Sequence, residues 1–327
     1  MAASRNRLPT DLAGRVGDWL ADRCAVNAHL CVGLSGGCDS VVLLHVLSRL
    51  GLGARLTALH VNHGLSSNAL AWSDFCAEYC AQLGVDLQIV KVSIEMGGGG
   101  GLEAAARQAR HAAFAECGAD VVLLAHHRGD QAETVLFNLL RGAGVAGARG
   151  MPAQREIGGG PRLLRPLLDV SRGELEAYAS EYGLHWVVDE SNHDVRFSRN
   201  YLRHQVLPVL KARFPKVEES LAQAAGHFSE ADILLSELAL QDWSAVLDGA
   251  EDESASLKAL RQLSLPRLKN LLRYRLRQKG WRAPVAARLD EFARQLLTAA
   301  SDRHPELLLP DGLMRLVRGR LYWLPLK

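Results

Sequence analysis

Ser35-Gly36-Gly37-Cys38-Asp39-Ser40 gathers, in six residues, the groups that hold a phosphate. Adjacent glycines let backbone N–H groups approach an anion, and Ser35 and Ser40 add hydroxyl donors. The flanking apolar runs read as a strand turning into the first turn of a helix, whose N-terminus attracts negative charge. No Lys follows the glycines as in a Walker loop, and their spacing is not that of a dinucleotide turn. The plain alternative is a strand-to-helix turn with Ser and Asp as caps. Two more polar stretches carry candidate chemistry: His60-Val61-Asn62-His63-Gly64 and His126-His127-Arg128-Gly129-Asp130, the latter followed by Glu133. Asp130 to Glu133 also reads as a capping box with Asp130 as the cap. Zinc is disfavoured for the four histidines, because no third ligand at suitable spacing accompanies them.

The elements that must position these groups alternate. Strands are expected at 29–34, 54–61, 86–92 and 120–126, and helices at 39–50, 69–83, 102–117 and 131–141, after a leading helix over 11–24. Strands alternating with helices predict an α/β fold, doubly wound around a mostly parallel sheet with right-handed crossovers. Ligands of such sheets bind beyond the carboxyl ends of the strands, which brings the three polar stretches to one rim. Five glycines, Gly97 to Gly101, form either a mobile loop over that rim or a surface insertion. Arg107 and Arg110 on the following helix make a cationic edge that could meet phosphate. RLLRPLLD, 162–169, reads as a fifth strand and turn, and Ser171 to Glu174 as a capping box opening a helix. Beyond Phe214-Pro215-Lys216 the pattern turns helical, over 217–243, 266–279 and 284–299, and ends in a hairpin-like stretch. The expected domains are therefore 1–215 and a smaller, mainly helical 216–327.

With 327 residues and a net charge of +2, the chain has room for two cores, and its overall charge decides little. Its distribution decides more. Arg196, Arg199, Arg203, Lys211, Arg213 and Lys216 occur with no acid between Val195 and Val217, and a second acid-free basic run extends from Arg261 to Arg288. Such blocks suit a polyanion, whereas a merely solvated helix face usually interleaves acids. The six cysteines contain no C-x-x-C pair and read as reduced core thiols. Neither a leader-like apolar stretch nor a membrane-length run occurs, so a cytoplasmic protein without a membrane partner is expected.

SGGCDS resembles the PP-loop of ATP pyrophosphatases, the adenine nucleotide alpha-hydrolase-like enzymes that split ATP between its α and β phosphates. Together with HVNHGL, AHHRGDQAETVLFNLLRGAGVAG from Ala125, LLRPLL from Leu163, and DESN followed by SRNYLRHQVLP, the chain resembles the tRNA(Ile)-lysidine synthetase family over about residues 25–215. The resemblance implies that lysine is joined to the wobble cytidine of an isoleucine tRNA with a CAU anticodon. In that scheme the cytidine C2 oxygen attacks the α phosphate of ATP, and the ε-amine of L-lysine then displaces AMP. Ser35, Gly36, Gly37, Cys38, Asp39, Ser40, His60, Asn62 and His63 would then hold ATP, with Asp39 on Mg²⁺. Asp39, Asp130 and Arg199 would be catalytic, with Asp130 the first choice to deprotonate lysine and Glu133 the second. His127, Glu133, Arg107, Arg110, Asn200 and Arg203 would contact substrate. One departure stands out: Gly129 occupies a position where the family usually has a first Asp. A tRNA thiolase is the rival enzyme, disfavoured by the missing C-x-x-C. A non-catalytic RNA-binding protein with a disabled nucleotide site is the rival of another class, motivated by Gly129.

Overall fold

Apolar runs such as LCVG and VVL are buried on both faces, as parallel strands covered by helices on each side must be. The computed structural model describes residues 11–64, 66–92, 101–157, 159–190, 194–247, 253–298, 300 and 303–326, without the side chains of 101–104. Its strands are β1 (Leu30–Gly33), β2 (Leu56–Asn62), β3 (Asp86–Lys91), β4 (Val121–Leu123), β5 (Gln154–Glu156), β6 (Arg162–Leu164), β7 (Ala255–Ser256), β8 (Glu306–Leu309), β9 (Gly312–Val317) and β10 (Arg320–Pro325). The helices are α1 (Leu12–Ala21), α2 (Cys38–Ser48), α3 (Ala69–Leu83), α4 (Gly101–Ala115), α5 (Arg128–Leu140), α6 (Val145–Ala148), α7 (Arg172–Glu181), α8 (Ser198–Tyr201), α9 (Leu207–Arg213), α10 (Val217–Leu247), α11 (Leu257–Leu260), α12 (Leu265–Gln278) and α13 (Ala286–Thr298). Two compact units divide between Phe228 and Ser229, inside α10.

The first unit holds a sheet of order β3-β2-β1-β4-β6-β5, parallel except for β5. Alternation along the strands supplies two cores. Leu30 and Val32 of β1 and Val121 and Leu123 of β4 join α1, α2, α3 and α7 on one face. Cys31 and Val122 meet Phe114 of α4 on the other. This is the expected doubly wound sheet, with one strand more. The three polar residues of β5, too short to alternate, pair at the edge and gave no pattern to read. The chain runs outward from β1 to β3 and then crosses back to β4, so the switch point lies between the carboxyl ends of β1 and β4.

The second unit builds a separate core around α12, α13 and an antiparallel sheet of order β7-β10-β9-β8. The expected terminal hairpin is β9–β10, widened by β8 and by two residues of β7. Among the described residues, no helix is long and apolar enough to cross a membrane. All but the last of the five glycines lie outside the described residues.

Candidate active site at the switch of the parallel sheet

The loop leaving β1 is stitched together by its own serines. Ser40 Oγ donates to Gly37 O at 2.9 Å and lies 3.0 Å from Ser35 Oγ, which accepts from Gly37 N at 3.3 Å. Among the described residues both hydroxyls find all their partners within the loop itself. Gly36 has φ +83°, and a Cβ there would come within 2.9 Å of Val187 Cγ2, so glycine is required twice over. Val187 N in turn donates to Gly36 O at 3.0 Å, laying residues 186–188 against the loop. Cys38 is buried and its thiol is pushed up to about 11, mainly by burial. Only its backbone N–H can face a ligand.

Asp39 stands in the first turn of α2, where the helix N-terminus favours a carboxylate. Its Oδ1 accepts from Arg172 Nη1 at 2.6 Å, and burial raises its pKa despite His127 and Arg172. Arg172 was not anticipated. The readable signal was a cation at the first position of α7, where it opposes the helix dipole unless an external anion holds it.

Across the switch, α5 starts three residues earlier than expected. Its cap is His127, not Asp130: His127 Nδ1 accepts from Gly129 N at 2.9 Å, and Asp130 Oδ2 accepts from His127 N at 3.0 Å. With Nδ1 accepting, the proton sits on Nε2, which lies 3.9 Å from Asp39 Oδ2 and 3.7 Å from Asp130 Oδ2. Glu133, no longer needed for capping, receives both Arg203 Nε at 2.6 Å and Arg203 Nη2 at 2.9 Å, and Nη2 also meets Asp130 Oδ1 at 2.9 Å. Arg203 lies in a π-helical turn, Leu202–Val206, a local widening often found at functional sites. Gln131 holds the Met151 backbone through both of its amide atoms, so it shapes the loop after α5.

Gly129 is explained by the same cap. A Cβ there would meet His127 Cε1 at 2.7 Å and Nδ1 at 3.0 Å. Gly129→Ala should therefore lose the His127 cap and about 1 kcal/mol. The expected result is a Tm lower by about 2–4 °C, read by thermal unfolding.

Asp39, His127, Gly129, Glu133, Arg172, Val188, Arg203, His204, Leu207, Pro208, Lys211 and Glu218 line one cavity of about 350 Å³. Of the residues expected at the site, Asp39, His127, Glu133 and Arg203 meet here. Arg199 does not line it, lying one helical turn before Arg203. Asn200 Nδ2 is engaged with Asp194 O at 3.0 Å. His60 is buried, with Nδ1 on Leu34 O at 2.9 Å, and Asn62 is spent on Ala69 O, Ser73 Oγ and Gly64 N. Neither lines the first cavity, and Asn62 lines a second one of about 320 Å³ beside Gly64, Leu70 and Lys91. His63 differs: its Nδ1 is buried without a partner among the described residues, and its pKa is lowered by burial and by nearby Arg110. His126 is held at about 3 chiefly by burial, with Arg165, Arg110 and Arg107 lowering it further. Lys211, paired with Glu218 at 2.7 Å, stood only as one cation of a basic block, and Arg165, 2% exposed and bonded to His126, only as a member of LLRPLL.

A family model for the PP-loop domain matches residues 10–210, and one for the TilS substrate binding domain matches residues 256–322. A tRNA(Ile)-lysidine synthase of Aromatoleum aromaticum is 47% identical over 296 residues, covering 90% of this chain and 67% of that protein. One of Pseudomonas fluorescens is 42% identical over 327 residues, covering 97% of this chain and 72% of that protein. Among solved structures, the U34-tRNA thiolase NcsA of Methanococcus maripaludis superposes with a TM-score of 0.58 at 18% identity, over 67% of this chain and 79% of that one, which shows a shared fold. A phosphate loop and a carboxylate-lined cavity on either side of one switch point, joined in sequence to a matching substrate-binding unit, agree with what these relatives are: the chain belongs to the tRNA(Ile)-lysidine synthase family.

Proposed function

We propose that the switch-point cavity is where this ATP-dependent ligase joins L-lysine to the wobble cytidine of tRNA(Ile), through an adenylated intermediate. The observation that carries the residue assignment is the convergence of Asp39, His127, Glu133 and Arg203 on one cavity beside the serine-stitched loop. In the first step the cytidine C2 oxygen bonds to the α phosphorus and pyrophosphate leaves. The loop amides and the Ser35 and Ser40 hydroxyls hold the phosphates, and Arg172 offers a cation beside them. Mg²⁺ fits the donor set: Asp39 supplies a hard oxygen at the cavity edge, and substrate phosphates complete such sites. Bound there, the ion would neutralise charge on the phosphates. In the second step the ε-amine nitrogen bonds to C2 and AMP leaves with the C2 oxygen. At pH 7 the amine must lose a proton, at a cost of about 4–5 kcal/mol. Glu133 is the better placed base, since it lines the cavity and burial raises its pKa against Arg203. Asp130 is held below its ordinary value: burial would raise it, but His127, His126 and Arg203 prevail. Its task is to position His127 and Arg203. With ATP labelled at the α phosphate and no lysine, label should enter tRNA(Ile) and leave as AMP when lysine is added. Absence of transfer overturns the scheme.

A thiolase reading finds no support in the thiols of α3, and Cys117, lowered to about 6 mainly by its hydrogen bond with Cys31, precedes β4 at the amino end of the sheet, opposite the cavity. Cys76 and Cys80 are buried and raised to about 12 and about 11 by burial, a poor state for sulfur transfer.

The basic run of the second unit is less free than its sequence suggests. Arg267 pairs with Asp242, Lys269 with Asp290, Arg275 and Lys279 with Glu253, Arg277 with Asp232 and Arg282 with Asp311. Among the described residues Arg273 forms no ion pair, acting only as a secondary charge on the Asp290 that Lys269 holds, and it is exposed. Reversing the paired residues would unfold local structure, so Arg273→Glu is the clean test of RNA contact. It should lower the salt slope of tRNA binding by about 0.7–0.9, read by filter binding over a salt series. An unchanged slope would make this run a structural ion-pair network.

A further inference from the structure

Large apolar side chains on a protein surface call for explanation when they cluster beside a functional cavity. Phe197 is 42% exposed and Tyr201 51%; Phe197 caps, and Tyr201 lies on, the helical stretch that delivers Arg203 to the cavity. Their order is informative. Phe197 caps α8, Tyr201 ends it, and His204 and Pro208 follow across the π-helical turn, so the four form one row in sequence along the run rather than a single α-helical face. The last two line the cavity, so the row leads from exposed aromatic rings into it. Trp186, 37% exposed, approaches the same cavity by a separate segment, since Val187 is bonded to the phosphate loop and Val188 belongs to the lining.

The charge around the row has one sign left over. In the same acid-poor stretch, Arg196 is neutralised by Asp194, Arg203 by Asp130 and Glu133, and Lys211 by Glu218. Among the described residues no carboxylate pairs with Arg199, Arg213 or Lys216, all three outside the core. Exposed rings set among unneutralised cations match single-stranded nucleic acid. Every base has a face to stack, and every nucleotide brings a negative charge. A protein partner or second copy would not need the excess of cations.

We propose that Phe197 and Tyr201, with Trp186 at the neighbouring segment, form a stacking platform for the loop bases that flank the reactive cytidine, and that Arg199 holds the phosphate between them. Resting on the reading of the cavity as the ligation site, this makes the three rings positioning residues for the RNA loop and gives Arg199 a phosphate instead of a catalytic role. A cytidine in an anticodon loop is stacked among its neighbours, and reaching a recessed cavity requires those neighbours to be held elsewhere. The platform supplies that hold.

The test uses the full chain with tRNA(Ile) and with anticodon stem-loops carrying 5-iodouridine either just 5′ of the cytidine or in place of the anticodon's own uridine, so that CAU is kept. Ultraviolet crosslinking should attach the RNA to residues 197–203 or to Trp186, as read by mass spectrometry. Tyr201→Ala should weaken stem-loop binding about tenfold and raise KM for tRNA while kcat at saturating tRNA falls less. Tyr201→Phe should restore binding, which a merely structural role for the hydroxyl would not allow. Crosslinks confined to other segments, or unchanged affinity in Phe197→Ala/Tyr201→Ala, would overturn the proposal even though wild-type ligation stands. A change of oligomeric state in that double variant with unaltered RNA affinity would also overturn it and make the row a protein interface. Failure of the wild type to ligate lysine would instead sink the underlying reading of the cavity.

Discussion

Asp39→Ala is expected to stop AMP formation, by about a thousandfold or more, while tRNA affinity stays within about threefold of the wild type. Asp39 is tied into the loop region by Arg172 at 2.6 Å, and burial raises its pKa. A carboxylate kept beside three phosphates raises the barrier unless a cation lies between them, and a bridging divalent ion contributes several kcal/mol of charge stabilisation. Removing the carboxylate leaves Arg172 free to bind ATP, so nucleotide affinity should persist or rise while chemistry is lost. The measurement is AMP release from labelled ATP beside tRNA filter binding. Turnover within tenfold of the wild type would contradict the role assigned to Asp39.

Glu133→Gln is expected to slow the lysine step by about a hundredfold or more, within the range of general-base removal, and to let adenylated tRNA accumulate. Burial raises the Glu133 pKa above its ordinary 4.5, and Arg203 opposes but does not cancel this. The base works only when ionised. The acid limb of the lysine step should therefore lie above pH 4.5 in the wild type and vanish in the variant. Stability need not fall there, because protonation relieves the cost of burying the charge. Asp130 has the opposite sign: its depressed pKa stabilises the fold above 3.8, and that contribution is lost as pH falls through its lower native value. Asp130→Asn should thus cost stability at neutral pH. Intermediate trapping by acid quench distinguishes the two: if Asp130→Asn accumulates adenylated tRNA and Glu133→Gln does not, the base is Asp130.

The features legible in the sequence were those with local causes. The run from Leu30 to Ser48 shows a strand, a glycine turn and a helix by its residue order, and Ser171 with Glu174 forms the expected capping box at α7. Other features depended on partners distant in the chain. Asp130 and Glu133 satisfy the pattern of a cap and its reach-back, yet His127 takes the cap because Gly129 leaves room for its ring. Glu133 is then claimed by Arg203, 70 residues away. The histidines of the β2 stretch looked alike in sequence, but β2 lies one strand from the switch. His60 turns Nδ1 to the buried loop backbone there, whereas the Nδ1 of His63 is buried without a partner among the described residues. The basic run of the second unit lacked acids in sequence but found them across α10, α13 and the loops. Local acid content cannot show pairing at long range.

The most direct test of the central claim is a single incubation of the purified chain with ATP, labelled L-lysine and tRNA(Ile). The account predicts label in the tRNA, with one AMP formed per lysine incorporated. Unlabelled tRNA with no AMP formed would contradict it.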